Sequence, residues 1–189
     1  KTYELPTQQE LHDLIDRSKY RRILYLCMYA GLRVGEACAV IPSQLDGNYL
    51  TVDRAFSQDG KHLGSPKTYG KVLIPEWLAE EIIGMKPEDY WHLGMPTQLV
   101  SWACGNLSKR RSRIHINPHM LRHWYATELI RLNTNPEVVR RQLRHKNIET
   151  TMKIYVQVNS KDLEKAVIQR PSQPPKNEAQ GKLIQLIRS

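Results

Sequence analysis

The chain has 189 residues with 28 Lys+Arg against 19 Asp+Glu, giving a formal net charge of +9, a pI near 9.5 and a mean hydropathy of −0.55. That length suits one domain, or one domain plus a tail, and 40% hydrophobic with 25% charged residues argues against wholesale disorder. The longest apolar run, 23–30, is far too short to span a bilayer, and three scattered cysteines (Cys27, Cys38, Cys104) form neither a disulfide framework nor a zinc-binding spacing, which fits a reducing, intracellular setting.

Along the chain, Thr7-Gln8-Gln9-Glu10 is a capping-box pattern, and Leu11, Leu14 and Ile15 follow at helical spacing. A second helix is expected over 20–30, stopped by Gly31, and a short third over 35–40, ended by Pro42. Asp46-Gly47 and Asp59-Gly60 are turn signals, with Tyr49-Leu50-Thr51-Val52 between them as a strand. Ser65-Pro66 and Tyr69-Gly70 bracket another turn before the apolar run Val72-Leu73-Ile74. These segments make a small antiparallel sheet of two or three strands. Helices resume over 76–83 and from Thr97 through the Lys109 region. Asn117-Pro118 and Asn135-Pro136 each place a capping residue before a proline at the first helical position, opening helices over 119–132 and 137–143. Two further helices are expected, over 149–156 and 160–168. Residues 169–181, rich in Pro, Gln and Ser, read as a linker, followed by a short apolar segment from Lys182 to Arg188. The fold class is therefore α+β and mainly helical, with 1–168 as one domain and 169–189 as linker and tail.

The charge is concentrated. Between Lys109 and Lys146 ten Lys/Arg face only Glu128 and Glu137, so a net +8 of the +9 lies in this window. His115, His119, His123 and His145 share it. Such a bias points to a polyanion, of which nucleic acid is the commonest, although a solvated helix face gives the same pattern.

Specific residues sharpen the reading. Ala30-Gly-Leu-Arg33-Val-Gly-Glu36-Ala, His119-Met-Leu-Arg122-His123, Leu143-Arg144-His145 and Tyr155 stand in that order, with Lys67 in the turn Ser65-Pro-Lys67-Thr-Tyr-Gly70-Lys71. Cutting a phosphodiester adds negative charge to the non-bridging oxygens in the transition state. Two guanidiniums can hold those oxygens bidentately at any working pH without a metal. Arg33 and Arg122 are the candidates, although Arg122 could simply face solvent. A tyrosine attacking phosphorus would form a covalent phosphotyrosine, and with a free pKa near 10 it needs a group to take its proton. His119 and His123 are candidates for that base. His115, His119 and His123 also recur every four residues, but Pro118 places His115 ahead of the helix, and no metal site is expected.

This set of motifs resembles the catalytic domain of the tyrosine recombinase, or phage-type integrase, family, over roughly residues 7–166. The resemblance implies catalytic roles for Arg33, Lys67, His119, Arg122, His145 and Tyr155, with Glu36 and His123 behind them. Lys67, with Lys71 as competitor, would protonate the departing 5′ oxygen, and His145 would donate a hydrogen bond to a phosphate oxygen. Lys109, Arg110, Arg111, Arg113, Arg140, Arg141 and Arg144 become candidates for flanking DNA-backbone contacts. The resemblance further implies a site-specific recombinase acting on double-stranded DNA as a homo-oligomer, a tetramer on DNA, without cofactor or membrane, in the cytoplasm of a bacterium or encoded by a phage. Two positions depart from the family pattern: Arg144 stands where glycine is usual, and Gln157 where a histidine often follows the nucleophile. Relatives also carry an N-terminal DNA-binding domain for which there is no room before Thr7, so a fragment is expected, as the opening Lys1 also suggests. The competing expectations are a non-catalytic DNA-binding module of the same fold, a type IB topoisomerase and a metal-dependent nuclease.

Overall fold

A computed structural model describes residues 5–89, 97–111 and 116–168. The helices are α1 (Gln8–Ile15), α2 (Arg21–Tyr29), α3 (Val34–Cys38), α4 (Glu76–Ile83), α5 (Thr97–Arg111), α6 (Pro118–Arg131), α7 (Pro136–Leu143) and α8 (Ile148–Ile168). Between α3 and α4 lie β1 (Leu45–Asp46), β2 (Tyr49–Val52), β3 (Ala55–Phe56), β4 (Leu63–Gly64) and β5 (Gly70–Leu73).

The local signals explain most of these boundaries. Thr7 and Glu10 close the capping box that starts α1. Asn117 and Asn135 accept from the N–H groups of Met120 and Glu137, at 2.8 Å each, and Pro118 and Pro136 take first helical positions. The sheet differs from the expectation of one unit. Three strands pair antiparallel in the order β1-β2-β5, and β3 with β4 forms a separate two-stranded hairpin. The two helices expected over 149–156 and 160–168 are one continuous helix, α8. Among the described residues no helix is long and apolar enough to cross a membrane, and Cys27, Cys38 and Cys104 are buried.

Two apolar clusters meet along α6. Leu121 and Trp124 face the main core with α2, the buried sheet residues Leu50, Val52 and Val72, and Leu78 and Ile82 of α4. Ala126 and Ile130 turn to a second cluster with Val139 and Leu143 of α7, onto which Ile154 and Tyr155 of α8 pack. Fully burying each large side chain contributes about 1.5–3 kcal/mol relative to exposure. A helix apolar on two sides can hold the polar groups between its faces in place, and Arg122 lies there.

Gly31, after α2, has φ +62, and a Cβ added to it would lie 2.6 Å from Leu143 Cδ2 and 2.9 Å from Tyr125 Cδ1. Gly31→Ala therefore combines left-handed strain with overpacking, and a loss of about 2–4 kcal/mol is expected. A urea midpoint equal to that of the unaltered chain would show that the contact relaxes freely.

Candidate active site

Arg33 caps the start of α3 with extended backbone, φ −74 and ψ 152. One turn later Glu36 returns its carboxylate: Oε2 accepts the Arg33 backbone N–H at 2.8 Å and Oε1 accepts from Arg33 Nη1 at 2.9 Å. Glu36 is no surface carboxylate, being 2% exposed. Its Oε2 also pairs with Arg144 Nη2. Arg33 keeps a third of its side-chain surface exposed while its inner edge is pinned.

Arg122 does not face solvent. It is buried in α6, with Nη1 donating to the Gly31 carbonyl and Nη2 to the Leu143 carbonyl at 2.6 Å. One guanidinium thus joins the ends of α2 and α7 to α6. Burial, followed by the charges of Arg33 and Arg144, pushes its pKa down to about 9, partly offset by Glu36. It remains cationic at neutral pH. Arg33 and Arg144 disfavour the charge of Arg122, and with Glu36 paired to Arg33 and Arg144 the three guanidiniums face one carboxylate, a site with surplus positive charge.

His145 follows Arg144 past the end of α7, and its Nδ1 is 2.9 Å from the Thr151 hydroxyl of α8. Thr151 is fully buried. No sequence signal singled it out, because only the turn between α7 and α8 brings it to the ring. Burial, and then Arg122, Arg33, Arg144 and Arg140, push the His145 pKa down to about 4. The ring is neutral at pH 7.

Unfolded His145 titrates near 6.5, so between roughly pH 6.5 and 4 the unfolded chain binds the extra proton. Stability is expected to fall as pH drops through that window. His145→Gln should flatten this part of a urea-unfolding profile, leaving the smaller contribution of His123, which burial and His119 also lower. An unchanged slope would contradict the buried neutral ring. The Glu137 carboxyl, held down to about 2 by hydrogen bonds from Arg140 and Arg141, adds its own loss of stability as pH falls through the ordinary carboxylate range, at the acid end of this window and below it.

His119, in the first turn of α6, is exposed, whereas His123 is half-buried. His119 thus lies toward solvent, while Arg122, three residues on, is buried. Tyr155 packs its ring against the second cluster, which includes Leu143, two residues before His145. Lys67 is exposed and lines a cleft of about 610 Å³ together with Arg33, Glu36, His62, Thr97 and Ser101. Lys71 does not line it and instead lies 3.5 Å from Asp46 in an exposed ion pair.

The flanking cations divide. Arg144 is 4% exposed and paired with Glu36, so its assignment to the outer DNA backbone is corrected: burial keeps it from a flanking phosphate. Arg140 is committed to Glu137 and to the His145 carbonyl. Arg141 keeps 76% of its side chain exposed beside Glu137. The side chains of Lys109, Arg110 and Arg111, and all of Arg113 and His115, lie outside the described residues, as does 169–189. Among the described residues no group of three or more His, Cys, Asp or Glu could hold a metal ion.

The chain is similar to known proteins in both sequence and fold. A family model described as the phage integrase family matches residues 96–162. Tyrosine recombinase XerA of Thermococcus onnurineus is 28% identical over 183 residues, covering 85% of this chain and 60% of that protein. Transposase A from transposon Tn554 of Staphylococcus aureus is 36% identical over 182 residues, covering 82% of this chain and 49% of the transposase. The chain thus spans about half to three-fifths of the length of these relatives. Its fold is similar to the Tn1549 transposon integrase solved in complex with transposon right end DNA, with a TM-score of 0.66 at 17% identity over 87% of this chain and 66% of that one. It is also similar to the catalytic domain of bacteriophage HP1 integrase, with a TM-score of 0.58 at 20% identity over 93% of this chain and 100% of that one. The family match runs through Arg122, His145 and Tyr155, and the fold around them is that of a tyrosine recombinase catalytic domain.

Proposed function

We propose that the chain cuts and rejoins DNA strands as the catalytic domain of an integrase-like, site-specific recombinase. The observation that carries this reading is the gathering of Arg33, Arg122 and His145 around one surplus-positive centre, with Tyr155 packed on the same α7 residues that lead into His145. Arg33 and Arg122 hold the non-bridging oxygens of the scissile phosphate. The Tyr155 oxygen attacks phosphorus, the bond to the 5′ oxygen breaks, and a 3′-phosphotyrosine forms. The tyrosine proton passes to His119, with His123 as the alternative base, and Lys67 protonates the departing 5′ oxygen. Attack by the 5′ hydroxyl of a partner strand reverses these transfers, so neither metal nor ATP is consumed.

His145 fits a donor role. Its Nδ1 is occupied by Thr151, leaving Nε2 for a phosphate oxygen. The arginines that depress its pKa would be neutralised by that phosphate, which moves the ring toward the protonated form as the complex assembles.

In this reading residues 1–168 are the catalytic unit, and 169–189 are a linker and tail that pack on a neighbouring protomer. The working assembly is a tetramer on duplex DNA in the cytoplasm of a bacterium or during phage integration. The greater length of the relatives supports a further DNA-binding domain completing a clamp.

The test uses nicked duplexes with a randomised central segment, which trap the intermediate when the short strand diffuses away. A detergent-resistant adduct that forms equally well in EDTA is expected. Cleavage without an adduct, or cleavage abolished by EDTA, would point to a metal-dependent nuclease instead.

A further inference from the structure

We propose that Arg144 is a positioning residue that locks Arg33 and the Lys67 turn to the end of α7. The proposal rests on the site reading above and adds a member to it. Four observations meet at this residue.

The first is its backbone. Arg144 N–H donates to the Arg141 carbonyl and His145 N–H to the Arg140 carbonyl, both at 3.0 Å, a Schellman ending for α7. Arg144 occupies its left-handed position at φ 54 and ψ 43. Among the described residues the other non-glycine at positive φ is Asn133, a residue type that tolerates it. An arginine there is strained and persists only where its surroundings hold it.

The second is its side chain, 2% exposed and paired through Nη2 with Glu36. Nε and Nη1 are buried and find no acceptor among the described residues. A cation kept this deep beside Arg33 and Arg122 is held by Glu36, the same carboxylate that grips Arg33 at both its backbone N–H and Nη1. Arg144 therefore fixes the orientation of the group that orients Arg33.

The third is packing. A Cβ added to Gly70 would lie 3.0 and 3.3 Å from Arg144 Cδ and Cγ, so the arginine stem covers Gly70 closely. Gly70 opens β5, three residues after Lys67. The fourth is a parallel tie two residues away in sequence. The Gln142 amide donates to the Leu73 carbonyl at 2.7 Å and accepts its N–H at 3.1 Å, pairing with the open edge of β5 as a strand would. Through Gln142 and Arg144, the end of α7 grips both ends of the strand that follows the Lys67 turn.

The expected consequence is selective. Arg144→Gly relieves the left-handed strain while losing the ion pair and the cover on Gly70, so the melting midpoint stays close to that of the unaltered chain. Amides of 63–73 should exchange with deuterium on the order of tenfold faster, while those of α1 and α2 keep their rates. On the randomised nicked duplexes, single-turnover adduct formation should fall on the order of tenfold to a hundredfold, with DNA affinity changed by less than about twofold. Arg144→Lys should recover most of the rate, because a single donor, Nη2, reaches Glu36. Unchanged exchange over 63–73 in Arg144→Gly would overturn the proposal, as would a rate loss matched by an equal loss of affinity. Should Arg144→Gly not fold, Arg144→Met, which keeps the stem over Gly70, must still lose rate without affinity, and equal rates would overturn it. If the unaltered chain forms no adduct, the recombinase reading fails, and the exchange measurement alone decides the role of Arg144.

Discussion

Arg122→Lys is expected to lower single-turnover adduct formation by about 10²–10³-fold and to destabilise the fold by about 2–4 kcal/mol. The two losses have one cause. The guanidinium donates from two nitrogens at once to the Gly31 and Leu143 carbonyls, across segments that no backbone pairing joins. A lysine can satisfy at most part of that arrangement, and the carbonyl left behind is buried and unpaired. Its point charge also cannot present the flat fork that matches two phosphate oxygens. Urea unfolding measures the first loss and adduct kinetics the second. A variant with normal stability and a rate within a few-fold of the unaltered chain would remove Arg122 from both roles.

Tyr155→Phe is expected to abolish the adduct while leaving fold and DNA affinity intact. Tyr155 packs against the cluster of Ala126, Ile130, Val139 and Leu143, and phenylalanine preserves that packing. Removing one hydroxyl from a partly buried position should change stability by less than about 1 kcal/mol. Complete loss of the adduct at unchanged affinity separates the nucleophile from a group that merely binds. Residual adduct would mean that another side chain attacks phosphorus.

What was legible in the sequence was local. The Thr7–Glu10 capping box, the two Asn-Pro starts and the Gly31 stop are decided within a few residues, and their helices lie where those signals put them. The β3–β4 hairpin has two residues per strand, too few for an alternation to register. The break expected between 156 and 160 is absent because a helix docked on α6 and α7 tolerates polar residues on its free side. The candidate site divides in the same way. Arg33, Glu36, Arg122 and Tyr155 stand in motifs whose order can be read. Arg144 appeared there as one cation among many, because what distinguishes it is an ion pair with a residue 108 positions earlier. Thr151 and Gln142 carry no local signature, and only the docking of α7 against α8 and β5 gives them partners.

The charge of +9 takes on structure in this account. Two cations of the basic window are committed to carboxylates of the protein, Arg144 to buried Glu36 and Arg140 to Glu137 at the surface. Arg33 and Lys67, which line one cleft, both stand outside the basic window.

The central claim is that Tyr155 becomes joined to DNA. The most direct measurement is mass spectrometry of the adduct trapped on nicked duplexes in EDTA, after digestion of both protein and DNA. A single modified peptide carrying a 3′-phosphonucleotide on Tyr155 is expected. A nucleotide on any other residue, or a linkage through the 5′ end, would contradict it.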